Sequence, residues 1–156
     1  MTDTLKSTCE QCLYLRDPQL EFLPAAFERQ RELILRDLRE LVTAASLEQE
    51  KSVVLLAGGL LEAVLFCFIE SQSGYIEARR GSFTFDPEQS LSNFVSIFNR
   101  WFSDVHSIPD LVVDYRDIVH INRELQFDPD ICSRAARELL RLLDSLLGRL
   151  AEYAKK

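Results

Sequence analysis

At 156 residues, with 47% hydrophobic and 28% charged side chains, the chain is long enough to bury a core without disulfide or metal support and too apolar for a disordered segment. The formal charge of −7 excludes a surface that coats nucleic acid indiscriminately. Residues 1–74 carry 7 basic and 12 acidic side chains, and residues 75–156 carry 11 and 13, so a local basic cleft is still possible in the second half.

The N-terminus, Met1-Thr2-Asp3-Thr4-Leu5-Lys6, has no basic region followed by an apolar one, which predicts a cytoplasmic protein without a secretory signal. Cys9 and Cys12 have the spacing of a metal or redox pair. A zinc site needs four ligands, and neither a second pair nor a nearby histidine stands close in sequence, so no metal is expected.

Gly and Pro number five each, which favours long uninterrupted helices. Asp17-Pro18, Asp86-Pro87 and Asp128-Pro129 place a capping residue before proline, the pattern of a helix start. Ser46-Leu47-Glu48-Gln49 and Asp86-Pro87-Glu88-Gln89 add an amide three residues after the cap. These signals predict an all-α fold, a five-helix up-and-down bundle forming one domain over residues 1–156. The first helix runs from Pro18 or Pro24 to Ala45 and the second from Leu47 to Gln72. A loop from Ser73 to Phe85 follows, with Arg79-Arg80-Gly81 in its middle. The third helix covers Pro87 to Val105, the fourth Pro109 to Leu125 and the fifth Pro129 to Tyr153.

The stretch Val53 to Ile69 is the most apolar. Gly58, Gly59 and Glu62 interrupt it, so it reads as a buried core helix rather than a bilayer span. Phe98, Trp101 and Phe102 read as core rather than as contact residues for a larger assembly. In the last helix, Ile131, Ala135, Leu139, Leu142, Leu143, Leu146, Leu150 and Tyr153 make one amphipathic stripe.

The fourth helix carries the chemistry. At helical spacing, Leu111, Tyr115, Ile118, Val119 and Asn122 share a core-facing side, and Arg116, His120 and Arg123 share an adjoining one. Arg116 and His120 are neighbours four apart. A fixed guanidinium holds phosphate oxygens and an imidazole moves a proton near neutrality, which suits phosphoryl chemistry with the 2′-OH of RNA as nucleophile. The bland alternative is a surface arginine beside a histidine that completes a core hydrogen bond.

Arg116-Asp117-Ile118-Val119-His120, with Ile121-Asn122-Arg123-Glu124 after it, resembles the Arg-Asn-x-x-His-Pro-Gly-x-Glu segment of some bacterial HEPN proteins. Lys51 to Leu65, where Gly58-Gly59 precedes Leu61-Glu62-Ala63, is similar to the second helix of those proteins, and the closing helix after Asp128-Pro129 also fits. The similarity spans residues 50–150. Three residues separate Arg116 from His120 where the family's common motif has four to six, Asp117 stands where Asn is frequent, and Ile121-Asn122 replaces Pro-Gly.

The resemblance implies a HEPN-like helical bundle, a homodimer, and a metal-independent endoribonuclease of toxin–antitoxin or antiviral systems that needs no cofactor. Arg116 and His120 would be catalytic, at a composite site shared by two subunits. Asp117, Asn122 and Glu62 would support them, with Glu62 as the partner of Arg116. Arg123, Arg79 and Arg80 would touch the RNA backbone, and an antitoxin or defence protein would be a further partner. The competing expectation is a non-catalytic module of the same fold, neutralising a basic partner or sensing a nucleotide; for Arg79 and Arg80 it is a solvated loop.

Overall fold

A segment that is apolar on nearly every side is satisfied only at the centre of a bundle, and residues 50–71 take that place. The computed structural model describes residues 3–81, 86, 88, 90–117 and 130–156, with Arg116 and Asp117 described by their backbone. In chain order the helices are α1 (Leu5–Glu10), α2 (Leu13–Arg16), a 3-10 turn (Ala25–Phe27), α3 (Glu28–Ser46), α4 (Glu50–Ser71), α5 (Ser73–Arg80), α6 (Leu91–Phe102), α7 (Leu111–Asp117) and α8 (Ile131–Ala154). The described residues thus form an all-helical bundle with eight α-helices, not five, and contain no strand.

α4 packs against α3, α6, α7 and α8. Phe68, fully buried on α4, meets the rings of Phe22, Phe98, Phe102 and Tyr153 at centroid distances of 4.9 to 6.2 Å. Burying one such ring contributes about 1.5–3 kcal/mol. Phe98 and Phe102 are core as expected, and Trp101 is half-buried. α4 is buried core as expected: although its length and an 18-residue window of mean hydropathy 2.4 would suffice to cross a membrane, 61% of that window is buried in the bundle. On α8, Ala135, Leu139, Leu143, Leu146 and Leu150 are all buried, so the predicted stripe is core.

Two short helices precede the first expected one. Thr4 and Ser7 form a reciprocal capping box at the start of α1. The Glu48 carboxylate reaches the same end, accepting from the N–H of Leu5 at 2.8 Å and of Lys6 at 3.0 Å. Glu48 reaches it from the turn between α3 and α4, with φ at +56° in the left-handed region. At α2 the Asp144 carboxylate of α8 accepts from the N–H of Tyr14 at 2.8 Å and of Leu15 at 3.3 Å. Carboxylates at helix N-termini satisfy orphan donors and oppose the positive end of the helix dipole. Gly148 on α8 lets the Tyr14 ring close in: an added Cβ would stand 2.7 Å from its Cε2.

Several predicted starts move. Asp17-Pro18 marks an end, because Asp17 is the C-cap of α2 and proline cannot continue a helix. The alternative start at Pro24 is the nearer one, opening the 3-10 turn that leads into α3. Ser46 is the last residue of α3 rather than a cap for α4, and its hydroxyl donates to Thr43 O. Asp86 makes a local turn, accepting from Glu88 N at 2.9 Å, and α6 waits until Leu91 behind Ser90. Pro87, Gln89, Asp128 and Pro129 lie outside the described residues. The expected loop after Ser73 is helix as far as Arg80, closed by Gly81 at φ +96°.

Candidate functional site

The helix α7 is placed by the chain just before it. The Asn99 side chain clamps Ile108 from both sides, its Nδ2 donating to Ile108 O and its Oδ1 accepting from Ile108 N, each at 2.8 Å. Ile108 and Val112 are both buried and four apart, so they set the face that α7 turns inward. Leu111, expected in the core, is therefore 48% exposed. Asp110 and Asp114 are exposed.

α7 lies directly against α4 and α8. Tyr115 donates its hydroxyl to the Glu138 carboxylate of α8. Burial, and then this bond and the charge it faces, push the Tyr115 phenol up to about 12, so it stays a donor throughout the neutral range. A cavity of about 370 Å³ remains beneath, walled by His106, Pro109, Leu111, Val112 and Leu142. Burial, helped by the nearby Arg149 charge, lowers the His106 imidazole, and its buried Nε2 has no hydrogen-bond partner among the described residues. His106 thus behaves as a packing residue.

Arg116 and Asp117 close α7; His120, Asn122 and Arg123 lie outside the described residues, as do Ile118 and Val119. Glu62 is half-buried on α4, where it lines a groove of about 410 Å³ with Leu33, Ile34, Ala63, Phe66 and Phe94. Arg116 and Glu62 therefore belong to helices in direct contact. Arg79 and Arg80 belong elsewhere, in the last turn of α5. Glu62 precedes Ser73 by eleven residues, or roughly 16 Å along a helix axis.

At α5 the structure assembles a feature that the loop expectation concealed. The Arg79 guanidinium carbon lies 3.6 Å from the centroid of the Tyr75 ring, and Arg79 donates to Tyr75 O at 3.2 Å. The Tyr75 ring in turn lies 5.7 Å from Phe102, tilted by 32°. The available signal was the four-residue step from Tyr75 to Arg79, informative only once the segment is known to be helical.

All four cysteines are buried with free thiols. Burial pushes the thiols of Cys12 and Cys67 up to about 12 and about 11 and raises that of Cys9, which makes them poor nucleophiles and metal ligands. Among the described residues no three His, Cys, Asp or Glu side chains are placed to share a metal ion. Comparison of the chain with known protein families, curated proteins and solved structures finds no match.

Proposed function

We propose that this chain is a metal-independent endoribonuclease of HEPN type. It acts in the cytoplasm as a homodimer within a toxin or antiviral-defence system, with Arg116 and His120 from both subunits in one cleft. The observation that carries the reading is the string Arg116-Asp117-Ile118-Val119-His120, which begins in α7, the helix packed on α4 and α8. An all-helical architecture with Glu62 on the adjoining helix supports it further.

In this reading the substrate supplies its own nucleophile. The ribose 2′-oxygen attacks the adjacent phosphorus, the bond to the 5′-oxygen breaks, and the products are a 2′,3′-cyclic phosphate and a free 5′-hydroxyl. Arg116 holds the phosphate oxygens as their charge grows. His120 moves the proton between the 2′-hydroxyl and the leaving oxygen. Asp117 and Asn122 orient the pair, Glu62 steadies Arg116, and Arg123 touches the backbone.

The test is cleavage of a labelled RNA pool in EDTA by the wild type, His120→Ala and Arg116→Ala, each checked for folding. The proposal expects cleavage by the wild type and a loss of at least about a hundredfold in each variant. Equal activity in all three, or none in the folded wild type, overturns it.

A second reading, a non-catalytic module that neutralises a basic partner or senses a nucleotide, draws on the charge of −7 and the apolar groove beside Glu62. It expects an inactive wild type that binds such a partner.

A further inference from the structure

We propose that the exposed end of α5 is a stacking subsite for an unpaired RNA base, with Arg79 as the stacking surface and Arg80 as the contact to the neighbouring phosphate. RNA as the ligand rests on the ribonuclease reading above; the geometry stands on α5 alone.

Phe102, Tyr75 and Arg79 form a three-layer column. Phe102 is buried at its base, Tyr75 is 38% exposed in the middle, and Arg79 is exposed at the top. Phe102 and the Arg79 guanidinium both contact the Tyr75 ring, and Arg79 is the exposed end of the set, so its solvent-facing side is the surface open to a ligand. The contact to Tyr75 O fixes that plane along a second direction. A guanidinium held flat in this way presents a delocalised, weakly hydrated π-face on which a nucleobase stacks, with little side-chain entropy left to lose.

Charge supports the same occupant. Neither Arg79 nor Arg80 makes an ion pair among the described residues, a state they share with Arg16, Arg31, Arg39, Arg100 and Arg137, so both charges are available to a phosphate. The C-terminal end of a helix favours cations, and that accounts for two positive charges on α5. It does not account for a planar cation laid on an exposed tyrosine, since a lysine in solvent would serve the helix end equally. Beside the column stand Tyr153, whose phenol feels Tyr75, Asp104 and Arg79, and Gln72, which accepts from the Tyr153 hydroxyl at 3.2 Å. Tyr153 and Gln72 offer hydrogen-bonding edges there, and Asp104 is the acidic group on that side.

The experiment uses a short single-stranded RNA with 2′-O-methyl sugars, which cannot be cleaved through the 2′-oxygen, carrying one 2-aminopurine whose fluorescence falls on stacking. Wild type is expected to quench it on binding. Arg79→Lys keeps the charge but removes the plane, and is expected to abolish the quench and weaken binding roughly tenfold. Arg80→Ala is expected to keep the quench and to lower the dependence of log K on log salt by about 0.7, one phosphate contact. An Arg79→Lys protein that quenches and binds like wild type overturns the stacking role, and so does a wild type that does not bind. Cleavage of unmodified RNA by the same preparations separates the two claims. Binding and quenching without cleavage sinks the nuclease and leaves the subsite, whereas cleavage without quenching does the reverse.

Discussion

The N-terminal pair α1–α2 and the helix α5 are alike in length and opposite in how their polar groups are used. Each is too short to persist alone in water. In the first region the carboxylates of Glu48 and Asp144 cap the two helices, and Arg141 pairs with Asp3 at the surface at 2.9 Å. At α5 a single side chain, Ile76, is buried, and two arginines stand exposed without a carboxylate partner among the described residues. Polar groups that complete a neighbour's hydrogen bonds are accounted for by the fold. The placement of Arg79 on the Tyr75 ring completes no neighbour's hydrogen-bond set beyond Tyr75 O, and it is the feature that the proposed subsite uses.

Breaking the N-terminal clamp has the largest expected effect. Gly148→Ala drives a methyl group into the Tyr14 ring and is expected to cost about 1–3 kcal/mol, despite alanine's better helix propensity. Gly59→Ala on α4, where an added Cβ meets nothing within 4 Å, is expected to gain about 0.5–1 kcal/mol. Denaturant midpoints measure both; a stabilised Gly148→Ala would mean that α2 is not docked as described. Asp144→Ala removes the acceptor for two backbone donors and is expected to cost about 1 kcal/mol by the same assay.

The two capping acids respond oppositely to pH. For Glu48, slight burial raises the carboxyl, and the N–H donors of Lys6 and Leu5 outweigh it, leaving the group below its ordinary value. Its stabilisation is present above the ordinary glutamate value of about 4.3 and is lost as pH falls through the lower folded value. For Asp144, burial outweighs the donors of Tyr14 and Leu15 and raises the group. Its ionised form is disfavoured by folding, so its contribution weakens as pH rises through the raised value. Melting curves between about pH 3 and pH 6 are expected to show a flatter acid limb for Glu48→Gln and no such flattening for Asp144→Asn. The smallest expected effect is at α5: Arg79→Ala and Arg80→Ala should each change stability by no more than about 0.5 kcal/mol. A cost well above that for Arg79→Ala would move it to the structural side of the comparison.

The long elements were legible because their signals are local. The stripe on α8 and the apolar run of α4 need no partner to be recognised, and both ends of α8 fall within two residues of expectation. What escaped depends on contacts distant in sequence. Glu48 caps a helix more than forty residues earlier, and Asp144 caps one from the far end of the chain. No spacing rule announces either. The Asp-Pro dipeptide misled at Asp17 because the same pair suits the end of a helix as well as its start. Leu111 misled because Ile108, outside the helix, fixes which face of α7 turns inward. Of the candidate site, Arg116 and His120 were legible as a motif in residue order. The column of Phe102, Tyr75 and Arg79 was not, since it joins α5 to α6.

The ribonuclease account is tested most directly by offering the wild-type protein a labelled RNA pool and the same sequences as DNA, in EDTA, and analysing the product ends. The account predicts that RNA is cut to 2′,3′-cyclic phosphate ends while DNA, lacking the 2′-hydroxyl, is spared. Cleavage of both, or of neither, would contradict it.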